Sequence, residues 1–160
     1  MAISVGDKVP DVTLRTMTAE GPAAVQSGDL LGSGKVVLIA VPGAFTPTCS
    51  DHHLPGFVLR ADDLVAKGVD TVACVSVNDA FVMGAWGQAQ GAGGKVVMLA
   101  DGNGEFAAAM GLEMDGSGFG LGTRSQRYAA VIDDGLITEL LVEPGPGLEA
   151  STVDAVLARL

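Results

Sequence analysis

Basic residues are scarce in this chain: 9 Lys and Arg stand against 19 Asp and Glu, a net charge of −10 over 160 residues. Phosphate neutralisation requires clustered Lys and Arg, and here they are scattered, so nucleic-acid binding is excluded; docking on anionic membrane surfaces is disfavoured for the same reason. No stretch approaches the ~20 apolar residues of a membrane span. The opening segment Met1-Ala2-Ile3-Ser4-Val5-Gly6-Asp7 lacks the basic region and hydrophobic core of a signal peptide. Cysteine is limited to Cys49 and Cys74, too few for a disulfide framework. Two cysteines without a secretion signal fit a reducing, cytoplasmic setting, where cysteines are catalytic or simply buried. What is present is globular in character: 48% apolar, 18% charged, with 23 glycines that follow no collagen-like period. The length suits a single domain over residues 1–160, long enough to bury roughly two-thirds of its unfolded surface without staples.

Strand-like and helix-like segments alternate along the chain. Lys35 to Val41 (KVVLIAV) is an apolar run rich in β-branched residues, closed by Pro42-Gly43, and reads as a central strand buried on both faces. Val69 to Val77 and Lys95 to Ala100 read the same way, the former ended by the helix-cap signal Asn78-Asp79. Helices are expected over Asp51 to Lys67, interrupted at Pro55-Gly56, over Asp79 to Gln90, and over Glu105 to Met110. The glycine-rich stretch Gly111 to Gly122 reads as loop. Arg127 to Asp133 and Leu136 to Val142 flank Asp133-Asp134-Gly135, a strong hairpin signal. A closing helix is expected over Ser151 to Leu160, with Ser151 as N-cap. The order βαβαβ, hairpin, helix predicts an α/β fold with a mixed β-sheet flanked by helices on both faces.

Chemistry concentrates in Val41 to Gly56, VPGAFTPTCSDHHLPG. Directly after a buried strand, two prolines frame Thr46, and Cys49 follows at the start of a predicted helix. The first turn of a helix offers unpaired N–H groups and the positive end of the dipole, which favour the thiolate, the reactive form of sulfur. Thr46, three residues earlier, can present its hydroxyl to whatever binds the sulfur, and Pro42 and Pro47 stiffen the loop. A lone cysteine is more often a small buried hydrophobe. This one, however, lies in a polar loop at the C-terminal end of a strand, where α/β sheets hold their sites.

Pro42-x-x-x-Thr46-x-x-Cys49 resembles the peroxiredoxin active-site motif, and PGAFTPTCSxxHLPGF is similar to the type II peroxiredoxins of the peroxiredoxin-5-like group. The resemblance extends to Val75-Ser76-Val77-Asn78-Asp79-Ala80-Phe81-Val82-Met83, Trp86-Gly87, Arg127-Tyr128 and Val142-Glu143-Pro144, and so spans nearly the whole chain. It implies a thioredoxin-like fold and a thiol peroxidase for hydrogen peroxide and alkyl hydroperoxides, working without metal, haem or flavin. Cys49 is then the peroxidatic nucleophile, passing through sulfenic acid. Thr46 hydrogen-bonds the peroxide, Arg127 stabilises the thiolate and the developing charge, and Pro42 shields the site from water. Those roles suit the chemistry, since cleaving O–O by displacement needs a thiolate, aligned donors and a nearby cation, and arginine supplies permanent charge on a rigid donor fork. A homodimer and an external thiol reductant, either glutaredoxin with glutathione or thioredoxin, are further implications.

Other candidates carry less. Arg124 reads either as a support of the site or as a solvated surface arginine. Cys49-x-x-His52-His53 invites a metal reading, but zinc needs four ligands, or three and water, and one of these histidines more plausibly serves as a local polar partner of Cys49. Cys74 is expected inside its strand, roughly 10 Å below the strand tip at about 3.3 Å per residue. A disulfide needs Cα atoms within about 7 Å, so bridging to Cys49 would require local unfolding. The two-cysteine members of the resembling group place a resolving cysteine after Val-Glu-Pro, where this chain reads Gly147-Leu148-Glu149-Ala150-Ser151; that departure favours a one-cysteine cycle. The run Gly116 to Gly122 follows no strand and opens no helix, so it is not a dinucleotide loop. Phe81, Met83 and Trp86 are expected in the core or at a subunit contact. The alternatives to a peroxidase are a peroxide sensor or redox-regulated chaperone using the same Cys49, and a cysteine hydrolase or deglycase, which would need a strand–elbow–helix and an acidic partner.

Overall fold

The computed structural model describes residues 2–160. A seven-stranded mixed sheet forms the spine, built from β1 (Thr13–Thr18), β2 (Gly21–Gln26), β3 (Lys35–Ala40), β4 (Thr71–Ser76), β5 (Val97–Ala100), β8 (Tyr128–Asp133) and β9 (Leu136–Val142) in the order β2-β1-β5-β4-β3-β8-β9. A separate two-stranded ribbon pairs β6 (Glu113–Asp115) with β7 (Thr123–Ser125). The three central strands run parallel, β3 beside β4 and β4 beside β5, while β8 and β1 flank them antiparallel. This is the mixed sheet that the alternation of elements predicts, in the thioredoxin-like fold that the resemblance implies.

Strand periodicity sorts the core into two layers, because successive side chains leave a strand on opposite faces. From β3, Val37, Ile39 and, just beyond it, Val41 enter one cluster with Cys49, Phe57, Cys74, Trp86 and Val156. Val36, Leu38 and Ala40 enter the other with Leu99, Phe106, Met110 and Tyr128. The first layer is covered by α2 (Leu54–Leu59), α3 (Ala61–Ala66), α4 (Ala80–Ala89) and α6 (Val153–Leu157); α5 (Glu105–Met110) lies on the second, near α1 (Ser27–Leu30). Of the three large apolar side chains singled out on α4, Met83 and Trp86 are buried and Phe81 points outward.

Four local readings change. The N-terminal hairpin β1–β2 has no counterpart among the expected elements; its edge strand β2 carries Pro22, which an edge tolerates because no ladder donor is required there. The segment Gly111 to Gly122, expected to be loop, contains β6 and a short 3-10 turn at Ser117–Phe119, its glycines serving the bends between them. The helical run after Cys49 is broken at Arg60, where φ is −107° and ψ is 23°, and not at Pro55-Gly56. Pro55 sits early in α2, directly after a π-helical turn, Cys49–His53. Finally, the cap of α6 is Thr152, whose hydroxyl accepts from the Ala155 N–H at 3.1 Å; Ser151 is buried and engaged elsewhere. The β8–β9 turn forms as expected, with Asp134 (φ 46°) and Gly135 (φ 84°) both left-handed, as a two-residue primed turn demands.

Candidate active site

The site is assembled where β3 ends and the antiparallel β8 begins. Ala40 pairs with Tyr128, so Val41 and Arg127 lie one step further along the same sheet edge. The loop leaving β3 turns at Gly43-Ala44-Phe45, with Phe45 left-handed at φ 63°. Gly43 is closely packed, since a Cβ there would stand 3.0 Å from an Arg124 nitrogen and 3.1 Å from Thr46. Asn78, just beyond β4, pins this loop: its Oδ1 accepts from the Ala44 N–H at 3.0 Å and from the Ser76 hydroxyl at 2.6 Å. Asp79 does the capping work foreseen for the pair, accepting from Val82 N–H at 2.8 Å. Helix then begins at Pro47, which places Cys49 in its first turn, as expected. The Trp86 indole donates to the hydroxyl of the adjacent Ser50 at 2.9 Å, tying the π-helical turn to α4.

Cys49 is fully buried, and Arg127 Nη2 donates to its sulfur at 3.0 Å. Arg127 itself is only 7% exposed, so the pair meets in a region of low dielectric, where a charge-assisted contact is strong. Nη1 of the same guanidinium donates to His53 Nδ1 at 3.0 Å. Because arginine can only donate, Nδ1 must be the unprotonated nitrogen, and His53 Nε2 carries the hydrogen that it gives to the Ser151 carbonyl at 2.9 Å. Burial, and next the positive charge of Arg127, hold His53 neutral and bring its pKa from 6.5 down to about 4; the Ser151 carbonyl and the Glu143 charge oppose the shift without cancelling it. The histidine of the Cys-x-x-His-His run that partners the site is thus His53, with both ring nitrogens engaged, while His52 is exposed.

Thr46 donates its hydroxyl to the Gly43 carbonyl at 2.6 Å, which leaves its oxygen lone pairs as acceptors. Arg124 is half-buried and donates to the carbonyls of Leu121 at 2.9 Å and Pro42 at 3.3 Å. It braces the loop that carries Pro42 and is no solvated surface group. Pro42 and Arg127 line a cavity of about 500 Å³, completed by Met114, Phe119, Glu143 and Pro144 among others. The cavity reaches Arg127 rather than the sulfur, which lies behind the guanidinium.

Glu143, part of the Val-Glu-Pro resemblance, has specific partners in the structure. Its N–H donates to the Arg127 carbonyl at 3.0 Å, extending the β8–β9 ladder by one step. Its carboxylate accepts from the Glu149, Ala150 and Ser151 N–H groups and from the Ser151 hydroxyl, at 2.7 to 3.1 Å. Burial pushes that carboxyl up, but the four donors outweigh it and hold Glu143 below its ordinary range.

Cys74 occupies the middle of β4 opposite Ile39, fully buried and free of any disulfide. Burial, together with a repulsive contribution from the charge of Cys49, pushes its thiol far up; Arg127 only partly offsets them. Among the described residues, no group of three or more His, Cys, Asp or Glu side chains is placed to hold a metal ion, and no helix is long and apolar enough to cross a membrane.

The chain belongs to the redoxin family, whose sequence pattern matches residues 4–157. Its relatives in that family include peroxiredoxins. It is 51% identical over 163 residues to peroxiredoxin-2E-2, chloroplastic, of Oryza sativa subsp. japonica, covering 99% of this chain and 72% of that one. It is 45% identical to peroxiredoxin-2B of Arabidopsis thaliana, covering 99% and 98%. The crystal structure of reduced Prx3 from Vibrio vulnificus in complex with H2O2 superimposes with a TM-score of 0.94 at 54% identity, covering 98% of each chain. The chemistry of this chain is accordingly that of a thiol peroxidase, an oxidoreductase.

Proposed function

We propose that Cys49 is the peroxidatic nucleophile of a one-cysteine cycle that reduces hydrogen peroxide and small alkyl hydroperoxides. The observation that carries this reading is the buried 3.0 Å contact between Arg127 and the Cys49 sulfur. The thiolate attacks one peroxide oxygen; the S–O bond forms as the O–O bond breaks, and the departing oxygen takes a proton to leave as water or an alcohol. Arg127 stabilises first the thiolate and then the charge passing to the leaving oxygen. Thr46, its own hydrogen given to Gly43, accepts from the peroxide O–H and sets the angle of approach. Pro42, with its carbonyl braced by Arg124, screens the thiolate from bulk water.

The resulting sulfenic acid has no second sulfur within easy reach, since Cys74 is locked in β4 and residues 147–151 contain no cysteine. Glutathione then condenses with it, forming a mixed disulfide and water, and a glutaredoxin dithiol exchanges the adduct away. Thioredoxin is the competing reductant. Outward-facing Phe45 and Phe81, 55% and 67% exposed, favour a homodimer, and two free cysteines suit a cytoplasmic setting. Mass spectrometry after one equivalent of peroxide tests the cycle. Cys49 sulfenic acid is expected, becoming a glutathione adduct when glutathione is present, and Cys74→Ser is expected to keep most of its glutathione- and glutaredoxin-supported turnover. An abundant Cys49–Cys74 disulfide, or loss of turnover in Cys74→Ser, would contradict it.

A further inference from the structure

The guanidinium of Arg127 is held at two points, not one. Nη2 meets the sulfur and Nη1 meets His53 Nδ1, each at 3.0 Å. A planar fork fixed by two partners has its orientation determined; with one partner it can swing about the remaining bond. His53 in turn cannot rotate, because its Nε2–H is committed to the Ser151 carbonyl and its ring packs edge-on against Phe57 with centroids 5.7 Å apart. Ser151 holds that carbonyl in place because Glu143 gathers the N–H groups of residues 149–151 and the Ser151 hydroxyl. Glu143 is also joined through its own N–H to the backbone of Arg127. One residue thus ties down both ends of the path, the strand that carries Arg127 and the loop that orients its histidine.

We propose that His53 and Glu143 are positioning residues for the peroxidase reaction: Glu143 clamps the 149–151 loop, the Ser151 carbonyl fixes the tautomer of His53, and His53 aims the Arg127 guanidinium at Cys49. This rests on Arg127 serving the Cys49 thiolate. A general-acid role for His53 is geometrically excluded, because its only N–H faces Ser151, away from the sulfur, and the nitrogen turned toward the site is an acceptor occupied by Arg127. Low His53 basicity, caused first by burial and then by Arg127, keeps that acceptor free at neutral pH.

Two conservative substitutions divide the functions of the ring. In His53→Asn the side-chain oxygen can take the place of Nδ1 and still accept from Arg127, while the Ser151 contact is lost. In His53→Gln the longer amide can still donate to Ser151 but presents no acceptor at the Nδ1 position. The second-order rate with hydrogen peroxide is expected to fall about 10- to 100-fold in His53→Gln, the loss typical of a small misplacement of a reacting group, and by only a few-fold in His53→Asn. The pH profile of Cys49 alkylation should move to higher pH in the Gln variant and move little in the Asn variant, a difference that a merely structural role for the ring would not produce. Glu143→Gln should show a smaller loss, and in the His53→Gln background it should add nothing, because contributions along one path are not additive. Near-ultraviolet circular dichroism of Trp86 verifies the fold of each variant. Equal rates in the Asn and Gln variants, or additive losses with Glu143→Gln, would overturn the proposal provided Arg127→Gln itself is impaired; an unimpaired Arg127→Gln would instead overturn the role of Arg127 on which it rests.

Discussion

Cys49 and Cys74 are equally buried and belong to the same apolar cluster, yet their environments differ in the one respect that matters for sulfur chemistry. Cys49 stands just beyond the strand end, in the first turn of a helix, with an arginine nitrogen 3.0 Å from its sulfur. Cys74 stands in mid-strand among β4 neighbours, and burial drives its thiol upward. Removal from water alone disfavours a thiolate. In the cycle proposed above, a committed cation separates the nucleophile from the packing residue, and that cation is held at His53 as well as at the sulfur.

The largest expected effect comes from erasing the reactive member of the pair. Cys49→Ser should fold and lose peroxide consumption altogether, because a hydroxyl is scarcely ionised at neutral pH; substantial turnover in that variant would end the assignment. Next comes Arg127→Gln, which makes the environment of Cys49 resemble that of Cys74. Its rate with peroxide should drop about 10²-fold or more, the cost of one preorganised charged donor, and stopped-flow kinetics with hydrogen peroxide measures it.

Acid stability probes the arginine's support. His53 binds its proton near pH 6.5 when unfolded and only near 4 when folded. Between those values the unfolded chain takes up a proton that the folded one refuses, so stability is complete above the window and falls as pH drops through it, by about 3 kcal/mol in all. The Glu143 carboxyl, held below its ordinary range, adds a further loss at lower pH still. Denaturant midpoints collected across this range should slope in the wild type and lie nearly flat in His53→Phe, which has no proton to bind. The smallest effect is expected at the inert cysteine: Cys74→Ala should cost about 1 kcal/mol of stability as a small core truncation and leave peroxide turnover in place, as thermal melts and a coupled assay will show.

How much of this was legible beforehand followed from how local each signal is. The β-branched run of β3, the Asp134-Gly135 turn and the Asp79 cap are written in adjacent residues, and so is the Pro42–Thr46–Cys49 spacing. Arg127 was found through its resemblance, while its contact with Cys49 spans 78 positions and no periodicity announces it. His53 and Ser151 lie 98 positions apart, and the Ser151 hydroxyl that looked like a helix cap is taken by Glu143, leaving Thr152 to cap α6. The hairpin β1–β2 was hidden because Pro22 argues against a strand unless that strand is known to be an edge. The ribbon β6–β7 was hidden because the glycines between its strands read as loop.

In the proposed cycle, partnership with Arg127 and not burial decides which sulfur reacts. Alkylation of the native protein by iodoacetamide, followed separately at the two cysteines by mass spectrometry as pH is raised, tests this directly. The predicted result is modification of Cys49 while Cys74 stays unmodified until the chain is denatured, with the Cys49 preference collapsing in Arg127→Gln. Comparable rates at both cysteines in the wild type, or a Cys49 profile that Arg127→Gln leaves in place, would contradict it.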